Sequence, residues 1–259
     1  MEPILSVRTL DKVFGGLQTL TQVSFDVAPG SVTALIGPNG AGKTTCLNII
    51  SGVYPQTRGR VIFAGRTITA QKPFRIARRG LSRTFQNIQV FHNMTVLENV
   101  MVGLHTRTTS GFISSMIQTP KVRREERIIK QRAAGALELF GLADKADWES
   151  SSLSYGDQKR VEMARALASS PSLLLLDEPV AGLNTRETEE MGRLIEKMRD
   201  QGLTVLLVEH DMDLVMSVSD QVVVLDYGQK IAEGPPRRVQ EDPKVIAAYL
   251  GRGQGAGYA

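Results

Sequence analysis

The chain has 259 residues, 42% hydrophobic and 22% charged, an ordinary globular balance with enough apolar material for a sizeable core. Aromatics are only 5%, which argues against a base-stacking nucleic-acid platform, and 31 basic against 27 acidic residues leave a net charge of +4. No apolar run approaches the roughly 18 residues of a membrane span, the opening MEPILSVRTL has no secretory pattern, and Cys46, the one cysteine, can form no internal disulfide, so the expected setting is the cytosol.

Ile4–Thr9, Val23–Val27 and Arg60–Ala64 alternate or cluster apolar residues between glycines and read as antiparallel strands. Val32–Ile36, Leu173–Leu176 and Thr204–Val208 are short apolar runs, each adjoining a helical stretch. They fit strands of a parallel sheet covered on both faces.

Gly37-Pro38-Asn39-Gly40-Ala41-Gly42-Lys43-Thr44 comes directly after the first of these runs and precedes a helix through Leu47 and Ile50, with Thr45 just inside it. This is the complete P-loop pattern. Its glycines let backbone N–H groups close around phosphate oxygens, and the helix N-terminus adds partial positive charge. Lys43 is expected on the β- and γ-phosphates, with the Thr44 hydroxyl on Mg²⁺. This loop implies ATP or GTP binding; it does not say how the energy is used.

Basic residues cluster at Arg75, Arg78, Arg79 and Arg83, and again from Lys121 to Arg132. They read as solvated helix faces, with acidic lipid headgroups as the sharper reading of one of them. Between Met94 and Ser152 the strand signals disappear. Lys121–Phe140 carries Ile128, Ile129, Leu137 and Phe140 among charges, with Gly141 as a stop. The region 93–152 reads as a helical insertion into an α/β core formed by 1–92 and 153–259, and Thr106–Thr119 as a loop or broken helix.

Leu173 to Leu176 run into Asp177-Glu178-Pro179, two carboxylates at the C-terminal edge of a buried strand, where open parallel sheets bind ligands. Two acids beside a proline are also common in turns. With the P-loop upstream, Asp177 is expected to hold Mg²⁺ through water and Glu178 to act as general base on the attacking water. Thr204–Val208 ends in Glu209-His210-Asp211, so His210 is expected on the same edge, hydrogen-bonding the γ-phosphate. Val222–Asp226 and Lys230–Ala232 around Gly228 read as a hairpin.

Leu153-Ser154-Tyr155-Gly156-Asp157-Gln158 precedes a helix through Val161, Ala164 and Leu167. It resembles the signature motif Leu-Ser-Gly-Gly-Gln of ABC-type ATPases, and its order relative to the P-loop and Asp177-Glu178 is that family's order. Gln86 resembles the Q-loop glutamine, a catalytic and metal-side residue; Ala181-Gly182-Leu183-Asn184 resembles the D-loop, His210 the switch histidine, and Phe14 the aromatic against adenine. The resemblance implies an α/β P-loop core of ABC type with an antiparallel β-subdomain and a helical insertion, hydrolysing ATP with Mg²⁺. It also implies head-to-tail pairing with a second ATPase subunit, so that Ser154 and Gly156 face the partner's nucleotide.

Phe14 to Leu17, Tyr155, and Asp242-Pro243-Lys244-Val245 through Gly251 are similar to the ATPases of branched-chain amino-acid importers, and Thr106–Arg127 to the longer insertion of one of that system's two ATPases. Two permease subunits and a substrate-binding protein are then the expected partners, with no nucleic acid, at the cytoplasmic face of the membrane. A lipopolysaccharide-export ATPase, sharing the Arg-rich region after Gly65, and a soluble non-transport ABC ATPase are the alternatives. Tyr155 replaces a usual glycine, Asn184 the D-loop aspartate, and Asp157 the usual glutamine. Ser154 and Asp157 have capping-box spacing, in which the Asp157 carboxylate would turn back to the Ser154 N–H; an exposed acid is the plainer reading.

Overall fold

In the computed structural model, residues 2–104 and 120–250 are described; the stretch Thr106–Thr119 lies outside them. β1 (Leu5–Phe14) and β2 (Leu17–Val27) form a hairpin, followed by β3 (Val32–Ile36) and α1 (Lys43–Ile50). Next come β4 (Arg58–Phe63), β5 (Arg66–Thr67), α2 (Pro73–Arg78) and β6 (Leu81–Arg83). Three helices, α3 (Val96–Val102), α4 (Pro120–Leu139) and α5 (Tyr155–Ala168), then pack on one another. β7 (Leu173–Asp177), α6 (Thr185–Asp200), β8 (Thr204–Val208), α7 (Met212–Val218), β9 (Gln221–Asp226), β10 (Gln229–Gly234), α8 (Pro236–Gln240) and α9 (Pro243–Leu250) complete the chain.

Two sheets result. The first is antiparallel, in the order β2-β1-β4-β5; the second has the order β10-β9-β3-β8-β7-β6, parallel except for the β9–β10 hairpin. Alternation along the buried strands sets the layers, because successive side chains point to opposite faces. Leu173 and Leu175 of β7 and Leu206 and Val208 of β8 pack with α1 and the antiparallel sheet. Leu174, Leu176, Val205 and Leu207 face the other way, into the core of α3, α4, α5 and α6. Unbroken runs such as Leu173–Leu176 are thus the pattern of a sheet covered twice.

The structure extends β1 and β2 well beyond the predicted strands and adds β5 and β6. β6 is legible only through its pairing with β7, since Leu81-Ser82-Arg83 has no apolar period of its own. Between β6 and β7 the described residues form helices and turns, with one isolated bridge, Thr95 to Glu149. Among the described residues no helix is long and apolar enough to cross a membrane.

Candidate active site

Because β3, β6, β7 and β8 run parallel, the loops leaving their C-terminal ends all emerge at one edge of the sheet. After β3 the P-loop turns into α1 through Gly42, whose φ of 100° is left-handed. A side chain there would strike Leu20 of β2, and one at Gly37 would come within 2.1 Å of the Leu225 carbonyl oxygen of β9. The loop therefore needs glycine twice, where the two sheets press on it. Lys43 is buried, and its Nζ donates to the carbonyls of Gly37 (2.6 Å) and Pro38 (3.1 Å), spanning the loop. Asn39 and Gly40 at the loop tip and Thr44 in the first turn of α1 are exposed, Pro38 and Ala41 are buried, and Thr45 is half-buried.

After β7, Asp177 is buried and Glu178 takes a left-handed φ of 52°. That backbone is costly for a residue with a Cβ and is held by the surroundings: the Glu178 N–H donates to the Val208 carbonyl of β8 at 2.8 Å. The carboxylate is aimed along the edge, where Gln86 Nε2 donates to Glu178 Oε2 at 2.8 Å and His210 Nδ1 lies 4.0 Å from the same oxygen. Gln86 comes after β6 and His210 after β8, so three strands deliver these side chains to one place. Glu209 behind them is fully buried; burial pushes its carboxyl above the usual range, and the N–H groups of Val180, His210 and Asp211 pull it back.

Arg83 carries a role that its place in a basic cluster concealed. Its side chain is inside: Nη1 donates to Asn48 Oδ1 (2.7 Å) and Ser51 Oγ (2.8 Å) of α1 and its C-cap, and Nη2 pairs with Asp177 Oδ2 at 2.7 Å. The guanidinium thus joins β6, α1 and β7. No local pattern signals this, since β6 has no apolar period of its own and Asp177 is distant along the chain.

Phe14 ends β1 in the antiparallel sheet, half-exposed, at the hairpin whose Thr19 and Leu20 lie against Gly42. Its ring and that of Tyr54 pack T-shaped with centres 5.4 Å apart, and Lys12 Nζ sits 4.4 Å from the Phe14 ring centre. Neither neighbour stands out in the sequence pattern.

Ser154 caps α5 and Gly156 lies in its first turn, where a side chain on Gly156 would meet the Glu187 carboxylate of α6. Ser154 Oγ accepts from the Asp157 N–H (3.2 Å), yet the Asp157 carboxylate does not turn back; it pairs with Lys145 Nζ at 2.5 Å. The capping box is therefore half made. The contrast lies in side-chain length: Thr95 with Glu98 and Asn184 with Glu187 complete theirs, where glutamate has the extra methylene.

The sequence pattern of the ABC transporter family matches residues 20–181, and that of the branched-chain amino acid ATP-binding cassette transporters matches 229–254. The chain is 43% identical over 251 residues to the high-affinity branched-chain amino acid transport ATP-binding protein LivG of Escherichia coli, covering 96% of this chain and 98% of that one. To BraF of Pseudomonas aeruginosa it is 44% identical over 250 residues, covering 96% and 98%. Among solved structures, the ADP conformation of an ATP-binding cassette of an ABC transporter superposes with a TM-score of 0.85 at 34% identity, over 97% of this chain and 100% of that one. A dimeric post-hydrolysis cassette bound to ADP and Pi gives 0.75 at 26%, covering 90% and 99%. The chain belongs to the ATP-hydrolysing subunits of ABC transporters, in the family of the branched-chain amino acid transport ATP-binding proteins.

Proposed function

We propose that this chain powers an importer of branched-chain amino acids, hydrolysing ATP at the sheet edge with Glu178 as general base. The observation that carries the base assignment is the meeting of Gln86, Glu178 and His210 beside the P-loop, each after a different parallel strand. The triphosphate lies along residues 37–45, with Lys43 exchanging its loop carbonyls for β- and γ-phosphate oxygens, and Phe14 stacks on adenine. Glu178 takes a proton from water as the water oxygen bonds to the γ-phosphorus and the β–γ bridging P–O bond breaks, giving ADP and phosphate. Gln86 orients the carboxylate and that water, and His210 donates to the γ-phosphate.

The donor set suits Mg²⁺. Thr44 would offer a hard oxygen ligand, with Gln86 on the metal side; Asp177, whose Oδ2 pairs with Arg83, would hold the ion through water, and the remaining positions are left to phosphate and water, the usual arrangement for this ion. When bound, Mg²⁺ would neutralise charge on the β- and γ-phosphates.

Ser154 and Gly156 open a 14-residue helix, and helix N-termini favour anions. That helix start, with a dimeric cassette among the similar structures, supports head-to-tail pairing, each signature serving the nucleotide of a second ATPase subunit. Residues 93–152 act as a helical subdomain on a core of 1–92 and 153–259. The assembly works at the cytoplasmic face of the membrane on two permease subunits fed by a binding protein. The relatives' names favour this over lipopolysaccharide export.

Replacing Glu178 by Gln tests the reading. Nucleotide affinity is expected to stay within about threefold of wild type while phosphate release falls at least about 100-fold. Near-normal release refutes the general-base role.

A further inference from the structure

The Gln86 segment, between β6 and α3, has no sheet or helix ladder of its own, so its backbone groups need other partners. A charged stripe on α5 supplies them. Lys159, Glu162 and Arg165 are spaced three apart and share one helix face. Lys159 Nζ donates to the Gln86 carbonyl at 3.1 Å, Glu162 Oε1 accepts from the Phe85 N–H at 3.3 Å, and Arg165 donates to the Gln89 carbonyl. Lys159 reaches further, to the Glu178 carbonyl at 3.5 Å. One ammonium therefore touches the main chains of both residues whose side chains meet as amide and carboxylate.

Lys159 is 2% exposed and Glu162 3%. Burial draws the lysine below its usual pKa, and Glu162, then Glu209, Glu178 and Asp177, act against that shift. A methionine would fill the same space without the cost of desolvating a charge, so packing alone does not account for an ammonium here.

We propose that Lys159 is a positioning residue for hydrolysis: it fixes the Gln86 and Glu178 main chains on one donor and so sets the register of their side chains. This rests on the reading of Glu178 as base. Lys159 lies about 7.5 Å along the helix from Ser154. The helix whose start would serve the partner's nucleotide thus grips this subunit's own base, and a shift of that helix moves Gln86 and Glu178 with it.

The test compares Lys159→Met, Gln86→Ala, the double variant and Glu178→Gln in the full chain, measuring steady-state hydrolysis, binding of a fluorescent ATP analogue and melting temperature. Lys159→Met is expected to lower kcat at least about tenfold with KM for ATP within about twofold, since it touches geometry and not phosphate. The double variant is expected to be no slower than the slower single variant, because both changes break one unit. Lys159→Gln, which keeps a donor, is run beside them and is expected to fall between; it decides the matter if the methionine variant does not fold. A kcat within about twofold of wild type, a matching rise in KM, or losses that multiply in the double variant overturn the proposal. Inactive Glu178→Gln beside unaffected Lys159→Met overturns the positioning role alone; active Glu178→Gln overturns the base assignment beneath it.

Discussion

Replacing Arg83 by Met is expected to destabilise the nucleotide-free protein far more than the loss of a surface arginine would. The Arg83 and Asp177 side chains are 6% and 5% exposed, so solvent screens their 2.7 Å pair very little. Removing one partner of such a pair strands the other charge, which costs about 3–5 kcal/mol. Asn48 Oδ1 and Ser51 Oγ lose their donor at the same time, while Arg83 Nε, which has no hydrogen-bond partner among the described residues, is no loss. In a domain of this size each kcal/mol moves the melting temperature by about 2–4 °C, so a fall of about 6–20 °C is expected by circular dichroism. Asp177→Asn strands Arg83 in turn. The combined Arg83→Met, Asp177→Asn protein is therefore expected to melt well above the temperature obtained by adding the two single losses. If Arg83→Met melts within about 2 °C of wild type, the buried pair does not bear on stability and the reasoning is wrong.

Lys43→Ala removes a cation from the phosphates together with the bridge across the loop, and charged hydrogen bonds of this kind are worth about 1.5–3 kcal/mol. ATP affinity, read by titration with Mg²⁺, is expected to drop about 10- to 100-fold; an unchanged affinity rules the loop out as the phosphate cradle. Since the Asp157 carboxylate serves Lys145, Asp157→Ala and Lys145→Ala are each expected to cost about 0.5–1 kcal/mol, and the double variant no more than either. Additive losses in denaturant melts would count against that pairing. Burial pushes the Cys46 thiol up to about 12. Its contribution to stability is complete below the unfolded value near 9 and is lost as pH rises towards 12. Native protein at pH 8 is therefore expected to resist iodoacetamide until guanidinium is added, and rapid native labelling would contradict the buried position.

The motifs and their strands were readable because their physics is local. A P-loop is one strand, one glycine turn and one helix start, and Asp177-Glu178 announces itself through four preceding leucines. Lys121–Phe140 carried the period of a helix, and the helix spans Pro120–Leu139. The β9–β10 hairpin was likewise visible around Gly228. β6 was not, since Leu81-Ser82-Arg83 has no apolar period of its own and becomes a strand by pairing with β7, more than eighty residues away in sequence. Asp157 shows the opposite limit: spacing suggested a capping box, and a lysine twelve residues upstream took the carboxylate.

By itself, then, the sequence determined which segments carry the motifs proposed to handle phosphate, metal and water, because each sits beside a strand that hydrophobic pattern reveals. Only the tertiary structure decided what holds them. Arg83 looked like surface charge and is the buried counter-ion of Asp177; Lys159, outside every motif the sequence singled out, touches the main chains of Gln86 and Glu178. Charge type and helical spacing are the same for a solvated lysine and a buried one. The difference is which elements close over the side chain, and that is fixed by contacts between segments far apart along the chain.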